Sequence, residues 1–127
     1  MAEYTFDVQK LYIEMMLADA ESFARAQNIF KPESFDRKLQ PIAKFIKDYM
    51  EEYKVMPDVE QVNAKHEIKL KSAKDLDPSH FNWLLDEFET FSRHKALERA
   101  ILQSADLLEK GDYAPVEDMV KAAVSVG

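Results

Sequence analysis

The sequence predicts an all-α protein with a small globular helical body followed by a long helix and an antiparallel helical hairpin. Only two of the 127 residues are glycine and 32% are charged, a composition typical of helical domains rather than of β-sheet or disordered proteins. Apolar residues recur at three- and four-residue spacing along most of the chain, as amphipathic helices require. With 46% apolar residues, the chain can bury a core.

Two helices are predicted at the start of the chain. Apolar residues recur at helical spacing over residues 7–20, and Asp7 is the expected N-cap. A short second helix is predicted over residues 21–30. Pro32 then disfavours helical backbone at the residue before it and marks a connection.

An amphipathic helix that starts between residues 37 and 41 is the clearest element of the body. Its apolar residues form one stripe, consisting of Ile42, Phe45, Ile46, Tyr49 and Tyr53. Pro41 is expected in its first turn, where the missing N–H costs nothing. Asp58 and Gln61 then have the spacing of a capping box, which predicts a short helix to about His66.

The longest predicted helix covers residues 78–110 and would be about 50 Å long at 1.5 Å per residue. Asp77 is its expected N-cap, and Gly111 is expected to end it. Its first half carries a bulky stripe, Phe81, Leu84, Leu85, Phe88 and Phe91. A final helix is predicted over residues 115–126, and the short loop before it makes the two helices antiparallel neighbours.

The chain therefore divides into a body over residues 1–92 and a helical hairpin over residues 93–127. The hairpin carries an apolar stripe that needs a partner, consisting of Leu97, Ala100, Ile101, Ala105 and Leu108 with Val116, Met119, Val120, Ala123 and Val124. Isolated helices of this length are marginal without tertiary packing, so the stripe packs either on the body or on another copy. The continuous long helix favours the second copy.

The composition excludes several classes of function. The chain has no cysteine, which excludes disulfides, thiolate metal sites and a cysteine nucleophile and fits a reducing compartment. Gly111 and Gly127 are the only glycines, so neither type of glycine-rich phosphate loop can form and no nucleotide cofactor is expected. No apolar run can span a bilayer, and the N-terminus lacks the pattern of a signal peptide.

Two features of the sequence, a cluster of lysines and the single tryptophan, each have more than one interpretation. The net charge of −7 argues against a free-standing nucleic-acid binder. The one basic cluster, Lys65, His66, Lys69, Lys71 and Lys74, either contacts nucleic acid or an acidic partner or is a solvated loop. We favour the loop because no aromatic residue is interleaved to stack a base. Trp83 is either a core residue or a partner anchor, and we favour the core.

No group of residues predicts catalysis or metal binding. The three histidines, His66, His80 and His94, lie on separate segments or turns of the chain. His94 and Glu98 are four residues apart, which is the spacing of an ordinary contact on a helix surface. No pair of carboxylates is marked out for acid–base chemistry.

Three passages together suggest a family. Residues 11–23, LYIEMMLADAESF, are similar to its opening helix and the turn that follows. Residues 45–58 end a helix in EY and continue through a proline into the next helix, and residues 93–126 contain a long helix, a short loop and a helix ending in AAVS. The chain thereby resembles the N-terminal domain of DnaB-type replicative DNA helicases, most closely the T-even phage branch.

The resemblance implies a non-catalytic assembly domain. In that family the domain forms a collar on a hexameric ring, hairpins of neighbouring subunits pair, and the domain helps to engage primase or the helicase loader. The ten residues of the stripe would form the subunit interface, giving a dimer or hexamer. The motor that contacts DNA would follow Gly127, in the cytoplasm of a bacterium or phage-infected cell. The alternative is a free-standing helical adaptor or regulator that binds another protein through Trp83 or the faces that bear methionine.

Overall fold

The computed structural model describes residues 4–125, and within that range it contains six α-helices, one 3-10 turn and no β-strand. The all-α class is therefore confirmed. The helices are α1 (Phe6–Ala18), α2 (Ala20–Ala26), α3 (Gln40–Tyr53), α4 (Val59–His66), α5 (His80–Glu109) and α6 (Tyr113–Val124), and the 3-10 turn covers Pro32–Ser34. None of the helices in this range is both long enough and apolar enough to cross a membrane.

The chain forms two compact units, Met1–Phe88 and Glu89–Gly127, and α5 runs through the boundary between them. The first unit contains α1 to α4 and the start of α5. The second contains the rest of α5 and α6. The division expected from the sequence was 1–92 and 93–127.

An aromatic cluster forms the centre of the first unit. The ring of Phe30 lies 5.0 Å from that of Phe23, 5.3 Å from Phe35 and 5.9 Å from Phe88. The ring of Tyr12 meets Phe88 edge-on at 6.0 Å. All five rings are almost completely buried. The cluster therefore joins α1, α2, the connection after α2 and the start of α5 through side chains that each bury a large apolar area.

Buried polar side chains fix the loops of the first unit to α1. The Gln9 side chain donates to the Tyr4 carbonyl at 2.8 Å and accepts from the Asp36 N–H at 2.6 Å. The Glu14 carboxylate accepts from the Lys71 N–H at 2.6 Å. Because an unpaired buried polar group is costly, these bonds hold the two loops in place.

The structure corrects the predicted start of the first helix. The helix begins at Phe6, and its N-cap is Thr5, whose hydroxyl accepts from the Val8 N–H at 3.2 Å. Asp7 lies in the first turn, where its negative charge still suits the helix dipole. The second helix also ends earlier than expected, at Ala26 rather than near residue 30.

The middle helices begin as the sequence predicts. Pro41 lies in the first turn of α3. Asp58 and Gln61 form the expected capping box, in which the Asp58 N–H donates to the Gln61 side chain at 2.7 Å. Lys54 ends α3 with a left-handed backbone, φ 62°, and Glu67 ends α4 in the same way, φ 52°.

The last two helices begin at other residues than predicted. Residues Pro78 and Ser79 form a turn, and α5 starts at His80. Asp77 caps that turn, because its carboxylate accepts from the Ser79 N–H at 2.9 Å, and this hydrogen bond lowers the pKa of Asp77. The final helix starts at Tyr113, before Pro115, and its predicted end at residue 126 lies outside the described residues.

The buried half of the long helix gives a stability prediction. Leu84 is 0% exposed, so Leu84→Ala should lower the free energy of unfolding by about 2–5 kcal/mol through lost burial and a cavity. Leu102→Ala is the matched control on the same helix, because Leu102 is 68% exposed and its truncation should change the free energy by less than about 0.5 kcal/mol. Urea denaturation measures both. Equal effects of the two truncations would contradict this placement of the core.

Candidate functional site

A Schellman turn joins the two helices of the hairpin. The Asp112 N–H donates to the Leu107 carbonyl at 2.9 Å, and the Gly111 N–H donates to the Leu108 carbonyl at 3.1 Å. Gly111 has a φ of 73°, which glycine adopts without the penalty that a Cβ brings. These two hydrogen bonds are those of the Schellman motif, in which many helices end at a glycine. The predicted role of Gly111 is therefore confirmed.

Three small side chains of the hairpin are buried. Ala100 and Ser104 on α5 and Ala123 on α6 are each about 5% exposed. Ser104 was missing from the predicted stripe because it is polar, but its hydroxyl donates to the Ala100 carbonyl one turn earlier. A serine whose hydroxyl has such a hydrogen bond within its own helix can pack in the same way as a small apolar residue. Leu97, Val116 and Met119 are half-buried beside these positions.

The remaining residues of the predicted stripe are exposed. We call this set, extended by Tyr113, the hairpin face; its members are Ile101, Ala105 and Leu108 on α5 with Tyr113, Val120 and Val124 on α6. Their five large side chains are between 41% and 66% exposed. Tyr113 was missed because the final helix was expected to start two residues later.

The two halves of the hairpin face lie on the same side of the hairpin. In each helix the exposed apolar residues lie about a quarter turn around the helix axis from the buried ones, at 3.6 residues per turn. The quarter turn has the same sense in both helices when each is followed from its N-terminus. Because the two helices are antiparallel and their buried sides face each other, both sets of exposed residues come to the same side of the hairpin. Leu102 lies about 100° around the helix from Ile101 and is outside the face.

One charged residue lies among the apolar members of the hairpin face. Glu117 follows Tyr113 by four residues and precedes Val120 by three, so it is on the same side of α6, and its carboxylate is 3.2 Å from the Lys121 ammonium. Each of these two side chains is about 70% exposed, so the pair is solvated and contributes little to stability. The face is thus apolar apart from this solvated ion pair, and protein interfaces commonly combine apolar side chains with solvated polar ones.

The lysine-rich segment begins in the last turn of α4, with Lys65 and His66, and continues as an ordered loop. The Asn63 side chain donates to the Leu70 carbonyl at 3.0 Å and accepts from the Leu70 N–H at 2.8 Å. Leu70 and Ala73 are buried. The ammonium groups of Lys65, Lys69, Lys71 and Lys74 belong to exposed residues, and Lys74 lies 3.9 Å from the carboxylate of Asp58. Contact with nucleic acid or an acidic partner stays a prediction.

Trp83 is not a core residue. Its side chain is 45% exposed, although its ring lies 6.4 Å from that of the buried Tyr12. The position at the edge of the apolar stripe explains the difference, because Leu84 and Phe88 occupy the centre of that stripe and are buried. The favoured interpretation of Trp83 was therefore wrong, and a partner anchor is the interpretation that remains.

The three histidines lie in separate surroundings in the structure. No group of three or more metal-ligating side chains occurs within residues 4–125. His94 and Glu98 form the expected surface contact, at 3.5 Å with both side chains nearly half exposed. His66 packs its ring edge-on against Phe45 at 5.2 Å.

Comparisons of this chain with protein-family models, with curated proteins and with solved structures find no match. The likeness to helicase N-terminal domains therefore rests on the three sequence passages alone. Within the described residues, the hairpin face and the exposed Trp83 are two surfaces that could meet a partner.

The turn of the hairpin gives a second prediction. Gly111→Ala should destabilise the hairpin by roughly 1–2 kcal/mol, the cost of a left-handed backbone for a residue with a Cβ. Nothing lies within 4 Å of the added methyl, so the cost is conformational and not steric. Gly111→Asn should cost less, because asparagine tolerates this conformation. Amide hydrogen exchange in α6 measures the opening free energy; equal exchange in wild type and Gly111→Ala would contradict the prediction.

The burial of His66 gives a prediction on pH. Burial lowers the pKa of His66 below 6.5, and the charge of Lys65 lowers it further. The imidazole Nε2 is buried without a hydrogen-bond partner among the described residues. The unfolded chain therefore takes up this proton at a higher pH than the folded chain. Stability is fully present above the unfolded pKa and is lost as pH falls below it.

We expect the wild type to lose more stability than His66→Phe between about pH 7 and about pH 5. The phenylalanine keeps a ring against Phe45 and cannot titrate. Urea denaturation of both proteins at each pH measures the difference. A difference that stays constant with pH, or that favours the wild type at low pH, would exclude this role of His66.

Proposed function

We propose that this chain is a non-catalytic assembly domain of a DnaB-type replicative helicase and that it self-associates through the hairpin face. The observation that carries the proposal is the one-sided exposure of Ile101, Leu108, Tyr113, Val120 and Val124. Large contiguous apolar patches are rare on the surfaces of soluble monomers, and where they occur they usually mark an interaction surface.

A second copy of the same face is a suitable partner. Burial of apolar area contributes about 25 cal/mol per Å², and five large side chains at half exposure offer a sizeable area. Two copies related by a twofold axis would place each face against itself. The ion pair of Glu117 with Lys121 balances the one acidic charge among the residues of the face, so the pairing would not bring unbalanced like charges together.

The resemblance to helicase N-terminal domains supports the same surface. In that family the hairpins of neighbouring subunits pair. Ala100 and Ala123 are covered within the chain, so we assign them to packing between the two helices of the hairpin. The exposed members of the stripe, with Tyr113, are then the subunit contacts. The motor domain and the contact with primase or a helicase loader are the parts of the proposal that rest on the resemblance alone.

A specific observation also favours the alternative, a small helical adaptor. Trp83 is 45% exposed, and partly exposed tryptophans are frequent anchors of protein interfaces. The adaptor would stay monomeric at high concentration, and its partner would cover Trp83. The two functions therefore differ in oligomeric state and in the surface that a partner covers.

Self-association through the hairpin face can be tested by a double substitution. Ile101→Asp with Val120→Asp would bury two unpaired charges in the interface, at a cost of several kcal/mol. The dissociation constant should rise by at least about a hundredfold. Both residues are exposed in the single chain, so the variant should keep its helical circular dichroism. Light scattering after size exclusion gives the mass of each species.

Leu102→Asp is the matched control, because Leu102 is equally exposed and lies outside the face. We expect the wild type and this control to form the same dimer or larger assembly and the double variant to be a folded monomer. A wild type that is monomeric at high concentration would refute self-association and leave the adaptor. An assembly that Leu102→Asp and the double variant weaken equally would refute the assigned face.

A further inference from the structure

A row of aromatic rings lies along α3, next to the buried isoleucines of that helix. Phe45, Tyr49 and Tyr53 are each four residues apart, and their ring centroids are separated by 5.8 Å and 4.6 Å. His66 from α4 extends the row beyond Phe45, with ring centroids 5.2 Å apart. The rings become more accessible along the helix, from half-buried Phe45 and Tyr49 to Tyr53, which is 57% exposed.

Two carboxylates border the row on its solvent side. Asp48 and Glu52 line a surface cleft of about 300 Å³ together with the three aromatic rings of α3. The Asp48 carboxylate lies 2.9 Å from the Lys44 ammonium, with both side chains more than half exposed. Glu52 forms no ion pair with any residue between 4 and 125 that the structure describes. We call this cleft the aromatic cleft.

The walls of the aromatic cleft are held in place. The Gln61 side chain donates to the Tyr49 hydroxyl at 3.2 Å, and the same side chain is fixed by the capping box of α4. Ile42 and Ile46, which belong to the same apolar stripe of α3, are buried in the core. The rings therefore stand on a helix that the core holds in place, and a ligand would meet a preformed site.

The charge around the aromatic cleft is mainly negative, although Lys44 pairs with Asp48 and Lys74 lies near Asp58. Residues 48–60 contain five carboxylates, Asp48, Glu51, Glu52, Asp58 and Glu60, against one lysine, Lys54. A surface of this sign repels the phosphates of nucleic acid and attracts cationic segments. Val55, which is 57% exposed just past the helix, adds apolar area next to Tyr53 in sequence.

Aromatic faces and carboxylates together recognise guanidinium groups. The negative face of an aromatic ring attracts a cation placed over it. Arginine also stacks its planar group on rings and donates two parallel hydrogen bonds to a carboxylate, which the ammonium group of lysine does not do. Tyr53 supplies the accessible ring and Glu52 supplies the unpaired carboxylate.

We propose that the aromatic cleft binds an arginine side chain in a basic segment of another protein. The cleft lies in the first unit and the hairpin face in the second, so this binding goes beyond self-association and does not depend on it. The partner is defined by its chemistry: an exposed, arginine-bearing peptide segment with apolar neighbours that can cover Val55 and Tyr53.

The test uses a fluorescein-labelled peptide that alternates arginine and leucine. Two control peptides carry lysine or neutral citrulline in place of each arginine. Fluorescence polarisation gives the dissociation constants, and the aromatic NMR signals of Tyr49 and Tyr53 locate the bound peptide. We expect the arginine peptide to bind most tightly, the lysine peptide more weakly and the citrulline peptide not measurably.

Variants of the cleft make the test specific. Tyr53→Ala should weaken binding of the arginine peptide about two- to fivefold through the lost ring, and Glu52→Lys should weaken it about tenfold or more. Glu109→Lys makes the same charge change at the C-terminal end of α5, where a cation suits the helix dipole, and should leave binding unchanged. Both cleft residues are exposed, so helical circular dichroism should be unaltered.

Several results would overturn the proposal. These are no binding of the arginine peptide at millimolar concentration, equal binding of all three peptides, or equal losses in Glu52→Lys and Glu109→Lys. The double variant Ile101→Asp with Val120→Asp separates the two functions, because it should bind the arginine peptide as the wild type does. Failure of self-association with intact peptide binding would refute the hairpin face alone, and the reverse result would refute the aromatic cleft alone.

Discussion

The packing of Phe30 against Phe88 is the contact on which the first unit depends. Their rings stack at 5.9 Å, and Phe23, Phe35 and Tyr12 surround them. These five side chains come from α1, α2, the connection that follows and the start of α5. Each element is too short or too solvated to be stable alone. Because Phe88 lies on α5, the same cluster also anchors the helix that continues into the hairpin.

The sequence predicted elements whose signals are local. The capping box of Asp58 and Gln61, the first-turn position of Pro41 and the turn at Gly111 each depend on a few adjacent residues, and all three are confirmed. The helix starts at Phe6 and Tyr113 were missed because a nearby residue, Asp7 or Pro115, gave an equally good local signal. The burial of Ser104 depends on packing between helices, which a periodicity of apolar residues does not capture.

The candidate surfaces were predictable to different extents. Periodicity identified the stripe of the hairpin, but only the fold separates the covered Ala100 and Ala123 from the exposed residues beside them. The aromatic cleft was assigned to the core stripe of α3, because Phe45, Tyr49 and Tyr53 continue the spacing of Ile42 and Ile46. Tyr53 lies at nearly the same angle around α3 as Ile42 and Ile46, at 3.6 residues per turn. It is the last residue of the helix and is 57% exposed, and periodicity does not predict how far along a helix the core extends.

The most direct test of the central claim measures whether a second copy covers the hairpin face. The chain has no cysteine, so a single thiol can be placed at an exposed position on either side of α5. Ala105→Cys places it in the face, and Gln103→Cys places it on the opposite side of the helix. Self-association through the face predicts that thiol modification of Ala105→Cys slows as protein concentration rises while that of Gln103→Cys does not. Equal rates at every concentration would contradict it.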